Sequence, residues 1–430
     1  MVQVPPDKKV KVLVLGAGFG GLDCCKTLTD PGFEVTLLDR QNHHLFQPLL
    51  YQVATASLTA PDIAAPIREI LAEYKNVHVF MEEVTSIDLE ANRVITKTRE
   101  HLYDYLVIGL GARTGYFGHP EWKKHAPGLK SLEDALHLRH KVLQAVEQAE
   151  LCDEPEERRR LLSIVIVGGG PTGVELAGAF TELIQRTLRD GFTNVRPSDL
   201  KVTLVEAAPR LLSMFDEDQS AYAKERLTNL GIDVRTGTMV KDVREGEVVL
   251  EETTLKAATI IWAAGTEANP VTGGLDVEKD RSGRLVVKPD CSLKTHPNVF
   301  AIGDIAHCED KNGVLVPPLA SAACQMGKHV AKMIRDEVKV KRGSMRKHAP
   351  LVRRQYAYFD KGIMAIIGKS AAVLKANRLK MRGFVAWLAW LFVHLLLLVG
   401  FRNKLAVLLQ WAFAYLKGRR SARIIVSPDK

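Results

Sequence analysis

The chain has little cysteine. Six cysteines stand in 430 residues, and none forms a CxxC pair. This excludes a disulfide scaffold and a cysteine-built zinc site, and it suits a reducing compartment. His, Cys, Asp and Glu show no metal-ligand spacing, so no metal is expected. Residues 1–9 are polar, with Pro5 and Pro6, and the first apolar run, residues 10–15, is only strand length. No secretory signal is expected from that start. Short-period repeats and low-complexity tracts are lacking too. Apolar residues make up 46% and charged residues 25%, which excludes intrinsic disorder. At roughly 100–200 residues per domain, the length predicts two to four domains.

Acidic residues are scarce in one region only. From Lys341 onward, 19 Lys/Arg face two acids, Asp360 and Asp429, whereas the preceding residues carry 40 basic and 48 acidic groups. An acidic body with a basic tail predicts an anionic partner, a membrane surface or nucleic acid. Long Leu/Val/Trp runs between the basic residues argue against nucleic acid, because phosphate contacts need exposed cations.

What is present is a doubled pattern. A β-branched run followed by glycines occurs at residues 10–21 and again at 163–173. Each is followed by a helical stretch and a second strand ending in an acid, Asp39 or Glu206. Two βαβ units are expected, within an α/β fold of two Rossmann-like domains. In the first loop, Gly16 permits the tight turn, Gly18 lets the backbone approach a pyrophosphate and Gly21 lets helix pack on strand. Asp39 follows Gly16 by 23 residues. In the second loop, Gly168, Gly170 and Gly173 repeat the logic, with Pro171 near the first helical position. Glu206 lies 38 residues from Gly168, an excess assigned to a long helix plus a loop. A bare Gly-rich turn at the first loop leaves Asp39 unexplained. Two sites predict two dinucleotides, a tightly held flavin and an exchangeable nicotinamide. Glu206 accepts from a ribose 2′-OH and repels a 2′-phosphate, and the nearest following base is Arg210. NADH is therefore expected over NADPH.

Between these units, residues 77–99 read as a hairpin with Asn92 near its turn. Residues 105–110 read as a buried strand and 116–128 as a crossover. Residues 132–150 read as a helix, and 153–160 as a solvated turn. A third strand-plus-glycine pattern stands at 299–304. The expected domains are residues 1–120 (FAD-binding, first part), 121–284 (NADH-binding), 285–340 (FAD-binding, second part) and 341–430 (a membrane-associating helical tail).

The paired loops together with Tyr105-Leu-Val-Ile-Gly-Leu-Gly111, Trp262-Ala-Ala-Gly265 and Val299-Phe-Ala-Ile-Gly303-Asp304 resemble the two-dinucleotide flavoprotein superfamily. Within it, His44-Leu-Phe-Gln47-Pro48-Leu-Leu-Tyr51-Gln52-Val-Ala and Pro171-Thr-Gly-Val-Glu175-Leu-Ala-Gly resemble the type II NADH dehydrogenases. Those are FAD-containing NADH:quinone oxidoreductases that pump no protons. The resemblance spans nearly the whole chain, residues 362–365 and 387–402 included. It implies FAD contacts for Gly16, Gly18, Gly21, Asp39, Arg40, Gln47, Pro48, Val84, Gly111 and Asp304. It implies NADH contacts for Gly168, Gly170, Gly173, Glu206 and Gly265. Glu175 and Gln325 would be catalytic, with Glu175 near the nicotinamide–flavin junction. Quinone would meet Ser321, Gln325 and Lys369. One departure bears on the quinone. The family's motif Ala-Gln-x-Ala-x-Gln reads Ala320-Ser321-Ala-Ala323-Cys324-Gln325 here, so a serine replaces the first glutamine.

Cys24 and Cys25 are expected as buried packing residues, since the region 43–56, where disulfide reductases carry their redox pair, has no cysteine. Cys308 and Cys324 leave a minor reading of thiol chemistry open. His43 and His44 are expected to be structural or FAD-contacting, because hydride transfer needs proximity more than a strong base. His394 reads as a satisfied helix histidine.

Residues 384–401 carry no formal charge. As one helix they would reach about 27 Å, just under a ~30 Å hydrocarbon core. Basic clusters flank both ends, which opposes a span under the positive-inside bias. Trp387, Trp390 and Trp411 suit an interface. In-plane attachment to the cytoplasmic face of the plasma membrane is the favoured reading. A span, and a buried tail or dimer interface, stay open behind it. A chain ending at Lys380 is then expected to become soluble while still oxidising NADH with ferricyanide. The whole reads as a membrane-attached enzyme passing electrons from NADH through FAD to quinone. Two rivals remain: a soluble NADH-dependent reductase of a small redox protein, and a membrane-docking flavoprotein with a signalling role.

Overall fold

The computed structural model describes residues 9–189, 191–342, 353–417 and 424–425. They divide into two compact units. One runs through His44, then Ala65–Arg113 and Thr266–Asp360; the other takes Leu45–Ala64, Thr114–Gly265 and the chain from Lys361. Two of the unit boundaries fall at 113/114 and 265/266. In the second unit Gly115 N–H donates to Gly265 O at 3.3 Å, so the chain enters and leaves that unit side by side. Residues from 361 cluster with the second unit.

The first unit is built on a five-stranded parallel sheet. Its strands run in the order Val299–Ala301, Tyr105–Ile108, Val10–Leu15, Phe33–Asp39, Val77–Met81. Every residue of Tyr105–Ile108 is buried, as expected of a strand covered on both faces. The Phe19–Thr27 helix lies against the long Ala320–Lys341 helix through two glycines. A Cβ at Gly327 would meet Gly20 O at 2.1 Å. The expected hairpin at 77–99 is only partly there. Val77–Met81 is the edge strand of the parallel sheet, while Val84–Asp88, Arg93–Thr96 and Glu100–Leu102 form an antiparallel sheet. Asn92, at φ +47, makes its first turn.

The second unit holds a four-stranded parallel sheet in the order Asp233–Thr236, Lys201–Glu206, Ser163–Val167, Thr259–Trp262. The long spacing to Glu206 resolves into the 19-residue helix Pro171–Arg189 and a Pro197–Asp199 turn. The expected solvated turn at 153–160 is instead the helix Pro155–Leu161. Pro155 opens it, and the Glu154 carboxylate accepts the Glu157 N–H at 2.7 Å.

The tail departs most from expectation. Ile363–Ile366, Ala372–Ala376 and Leu379–Gly383 form an antiparallel sheet within the second unit. Gln219, buried in that unit, donates from Nε2 to Leu374 O at 2.8 Å and Met381 O at 3.1 Å. Asp216 pairs with Lys375 and Lys380. The apolar run is two helices, Phe384–Leu397 and Phe401–Lys417, parted at Gly400, whose φ is +86. Among the described residues no helix is long and apolar enough to cross a membrane. The three tail tryptophans do not face outward. Trp390 is fully buried, and Trp387 and Trp411 are nearly so. Trp411 Nε1 donates to Gln52 Oε1 at 2.8 Å, and Gln410 donates to Asp62 at 3.0 Å. Arg419, Arg420 and Arg423 lie outside the described residues.

Candidate functional site

In the first unit the chain leaves its central strand through Gly16 at φ +93. A Cβ there would sit 2.5 Å from Gly109 O, and one on Gly21 would sit 1.9 Å from Gly16 O. Only glycine lets the helix start so close to the strands. Gly18 differs, because nothing lies within 4 Å of its missing Cβ. The Phe19–Thr27 helix has no capping side chain and no acid in its first turn. Its free amides and the open face at Gly18 make a cradle for a phosphate. Asp39 closes the cradle. Its Oδ2 accepts Ala17 N–H at 2.7 Å and its Oδ1 accepts Gln41 N–H at 2.8 Å. Burial raises its pKa against the pull of those two bonds. Arg40 beside it is exposed, and Val84 is buried at the start of the antiparallel sheet.

Two further predicted residues join this cradle. Gly111, at φ +67 with open space at its Cβ position, follows the strand whose Gly109 touches Gly16. Asp304 stands in the Gly303–Ile305 turn, and a Cβ on Gly303 would lie 3.2 Å from Ala323 Cβ. The start of the Ala320–Lys341 helix is thereby brought to the same place, since a Cβ on Gly20 would lie 3.0 Å from Ala323 O. Ser321 and Gln325 are on that helix, both half-buried. Of the neighbouring histidines, His44 is buried with Nδ1 against Ala17 O at 2.9 Å, and burial lowers its pKa. It therefore braces the loop as a neutral ring.

The second unit repeats the cradle in detail. Gly168 has φ +113 and approaches Ala263; a Cβ on Gly173 would lie 1.8 Å from Gly168 O; Gly170 faces open space. Glu206 Oε2 accepts Gly169 N–H at 2.5 Å and Oε1 accepts Ala208 N–H at 2.7 Å. Gly265 stands past the Thr259–Trp262 strand at φ +73. Arg210 is held by carbonyls, donating to Phe215 O at 2.7 Å and Ser213 O at 3.0 Å. Both cradles have the open face, free amides and acid that a dinucleotide requires, so the residues present fit FAD and NADH.

Glu175 lies one turn into the Pro171–Arg189 helix. Burial raises its pKa to about 8, opposed by a bond from Ile366 N–H at 3.4 Å. A carboxyl in that state exchanges a proton near neutrality. Gln47 and Pro48 form the short Gln47–Leu49 turn. Lys369 lines a cavity with Tyr51, Gln52, Glu182, Arg186 and Trp411.

A pyridine nucleotide-disulphide oxidoreductase family model matches residues 10–327, and an NDH2 C-terminal domain model matches residues 361–420. The type II NADH:quinone oxidoreductase Ndh of Mycobacterium tuberculosis is 39% identical, with 96% of this chain and 90% of that protein covered. The chain belongs to the type II NADH:quinone oxidoreductases. A more distant relative is external NADH-ubiquinone oxidoreductase 2 of Saccharomyces cerevisiae mitochondria, 29% identical over 96% of this chain and 82% of that protein. Among solved structures, NDH2 from Plasmodium falciparum has the same fold, with a TM-score of 0.87 at 21% identity, covering 98% of this chain and 100% of that one. The sulfide:quinone oxidoreductase of Aquifex aeolicus shares it more loosely, with a TM-score of 0.70 at 19% identity over 92% of each chain.

In this type II oxidoreductase the cysteines are free thiols. Cys24 and Cys25 are fully buried, and burial pushes the Cys24 thiol up to about 12, so the pair packs the first helix and stays protonated. His394 is satisfied by Trp390 O at 2.8 Å, with burial lowering its pKa to about 4. Three features escaped the sequence reading. Gly20 and Gly327 cross helix on helix, and a mid-helix glycine was the available signal. Gln52 receives Trp411 from 359 residues away, which no local pattern announces. Tyr358 stands on a segment without regular structure.

Proposed function

We infer that this type II oxidoreductase oxidises NADH and passes two electrons to a membrane quinone without pumping protons. The observation that carries the reading is the pair of built glycine cradles, each closed by its own carboxylate. Gly16, Gly18, Gly21, Asp39, Gly111 and Asp304 are assigned to FAD, and Gly168, Gly170, Gly173, Glu206 and Gly265 to NADH. FAD, when bound, supplies the redox relay between a two-electron donor and acceptor. The chain's own part is binding, orientation and proton handling. Asp39 and Glu206 accept ribose hydroxyls. Glu206 repels a 2′-phosphate, and Arg210, held by carbonyls, offers that phosphate no free partner. Glu175 holds a proton at neutral pH. Ser321 and Gln325 are assigned to the acceptor side, and Lys369 to the quinone's path.

The membrane assignment rests on the helix pair. Val385, Leu388, Phe392 and Leu396 make one exposed stripe; Phe401, Leu405, Leu408, Leu409 and Phe413 make another. Burying such side chains is worth ~1.5–3 kcal/mol each. Exposed Arg378, Arg382 and Arg402 add about 1 kcal/mol apiece at an anionic surface. In-plane docking on anionic lipid follows, and the stripes disfavour a soluble reductase. Steady-state NADH oxidation with a soluble quinone analogue tests the activity. Yellow protein with stoichiometric FAD should turn over quinone. Absence of flavin, or oxidation of NADH with no quinone reduction, would overturn the reading.

A further inference from the structure

Phe117 stands where a turn favours glycine or asparagine. Tyr116 O accepts His119 N–H at 3.0 Å and closes a two-residue turn. Its central residues, Phe117 and Gly118, have φ +51 and +91. A turn with both central residues at positive φ suits Gly, Asn or Asp, and a bulky side chain there is strained. The surroundings hold it nonetheless. The Tyr116 hydroxyl donates to Ala126 O at 2.9 Å, and its ring stacks on Trp262 at 5.6 Å. Trp262 Nε1 donates to Gly115 O at 2.9 Å, and Gly115 N–H donates to Gly265 O at 3.3 Å. What this fixed turn presents is a phenyl ring that is 71% exposed. Burial in the core therefore does not offset its strain. Strained residues held by their surroundings collect at ligand sites.

The ring stands beside the second unit's cradle. A Cβ on Gly265 would meet Phe117 Cζ at 2.7 Å and Cε2 at 3.1 Å. Gly265 is two residues past Ala263, and a Cβ on Gly168 would sit 2.7 Å from Ala263 C. Two residues span at most about 7 Å. Glu206 ends the strand on one side of Ser163–Val167, and Gly265 follows the strand on its other side. With the adenosine ribose at Glu206 and the pyrophosphate over Gly168–Gly173, the other half of a dinucleotide runs toward Gly265. We propose that Phe117 is a positioning residue for NADH, its ring packing against the nicotinamide. This rests on the assignment of the Gly168–Gly173 cradle to NADH. Charge and backbone amides anchor the adenosine ribose and the phosphates. The dihydronicotinamide is uncharged and offers chiefly its flat faces. A phenyl ring held at that end gives it an apolar surface to lie on.

The test uses the full chain loaded with FAD, with ferricyanide as acceptor so that the quinone side plays no part. Phe117→Asn removes the ring and keeps the turn, because Asn tolerates left-handed backbone. Its kcat/KM for NADH should fall about 3- to 10-fold. Its melting temperature should hold or rise as the strain is relieved. ADP-ribose is NADH without the nicotinamide, and it should compete for the same cradle. Its inhibition constant should be the same in Phe117→Asn as in the wild type. Phe117→Tyr keeps the ring and should stay near the wild-type kcat/KM. The proposal is overturned if Phe117→Asn leaves kcat/KM for NADH unchanged. It is overturned equally if ADP-ribose weakens in step with NADH, since the ring would then merely support the loop. Should Phe117→Asn fail to fold, Phe117→Leu, apolar but without a flat face, decides by the same pair of measurements. ADP-ribose that does not compete with NADH in the wild type would instead refute the cradle assignment itself.

Discussion

Glu206 Oε2 accepts a hydrogen bond from Gly169 N–H at 2.5 Å. The carboxylate is thereby fixed over the glycine turn before any nucleotide arrives, just as Asp39 is fixed by Ala17. A fixed anion selects against a second phosphate. Losing a hydrogen bond to a charged group costs ~1.5–3 kcal/mol, about 10- to 150-fold. Wild-type kcat/KM should therefore favour NADH over NADPH by at least about 10-fold. Glu206→Gln should narrow that ratio, because it keeps an acceptor and loses the charge. Steady-state kinetics with both nucleotides measures it, and equal use by the wild type would take Glu206 out of the selection.

The two cradles should fail separately. A methyl at Gly21 or at Gly173 collides with a backbone carbonyl, at 1.9 Å and 1.8 Å respectively. Backbone cannot yield as a flexible side chain does, so each substitution pushes its helix off its strand. Gly21→Ala should be purified with little FAD. Gly173→Ala should keep its FAD yet lose most NADH oxidation. Flavin absorbance and NADH titration distinguish them, and loss of FAD in both would reverse the assignment of the second loop.

The parts legible in sequence were those with local causes. Both βαβ units announced themselves because a tight turn, a helix start and a terminal acid follow each other within one stretch of chain. The same holds for Pro171 at a helix start. Val77–Met81 was misread because a strand at a sheet edge and a hairpin strand share one alternation, and only its parallel partner Phe33–Asp39 separates them. The tail's tryptophans were misread for a different reason. Apolar content alone does not say whether Trp390 faces lipid or a partner such as Tyr51, whose ring lies 6.4 Å away and more than 300 residues earlier. Segment 353–360 has no periodicity at all, and its contacts join distant residues, Gln325 to Phe359, Asp290 to Arg353 and Asp310 to Tyr358.

Glu175 should leave a mark on stability. Its folded pKa is raised by burial to about 8 from an ordinary 4.5. The folded state therefore binds more protons than the unfolded state between those values. Stability is fully present below the unfolded pKa and declines as pH rises through the folded one. Glu175→Gln removes the titration. Its melting temperature should match or fall slightly below wild type near pH ~5, and exceed it by pH ~9. Parallel melting curves for the two proteins across that range would show that burial does not perturb this carboxyl.

The tail's two faces should respond in opposite ways. A chain ending at Lys380 loses both helices and cuts the Leu379–Gly383 strand, along with the Met381 carbonyl that Gln219 holds. It also strips Trp390 and Trp411 from the second unit's interior. Emptying one large aromatic site costs ~3–5 kcal/mol, comparable to a domain's whole margin. Truncation should therefore yield unfolded protein rather than a soluble enzyme, and Trp390→Ala should lower the melting temperature sharply. The outer stripes are another matter. Phe392, Leu396 and Leu409 are 63%, 55% and 61% exposed, so replacing them with Glu breaks little inside the protein. It removes ~1.5–3 kcal/mol of lipid contact per site and adds charge that an anionic surface repels. The triple variant should stay folded, keep NADH-to-ferricyanide turnover and fail to sediment with phosphatidylglycerol vesicles. High salt should release the wild type only in part, since its apolar contacts are not screened. A triple variant that still sediments would move the docking face elsewhere, and one that unfolds would mean the stripes are covered by protein.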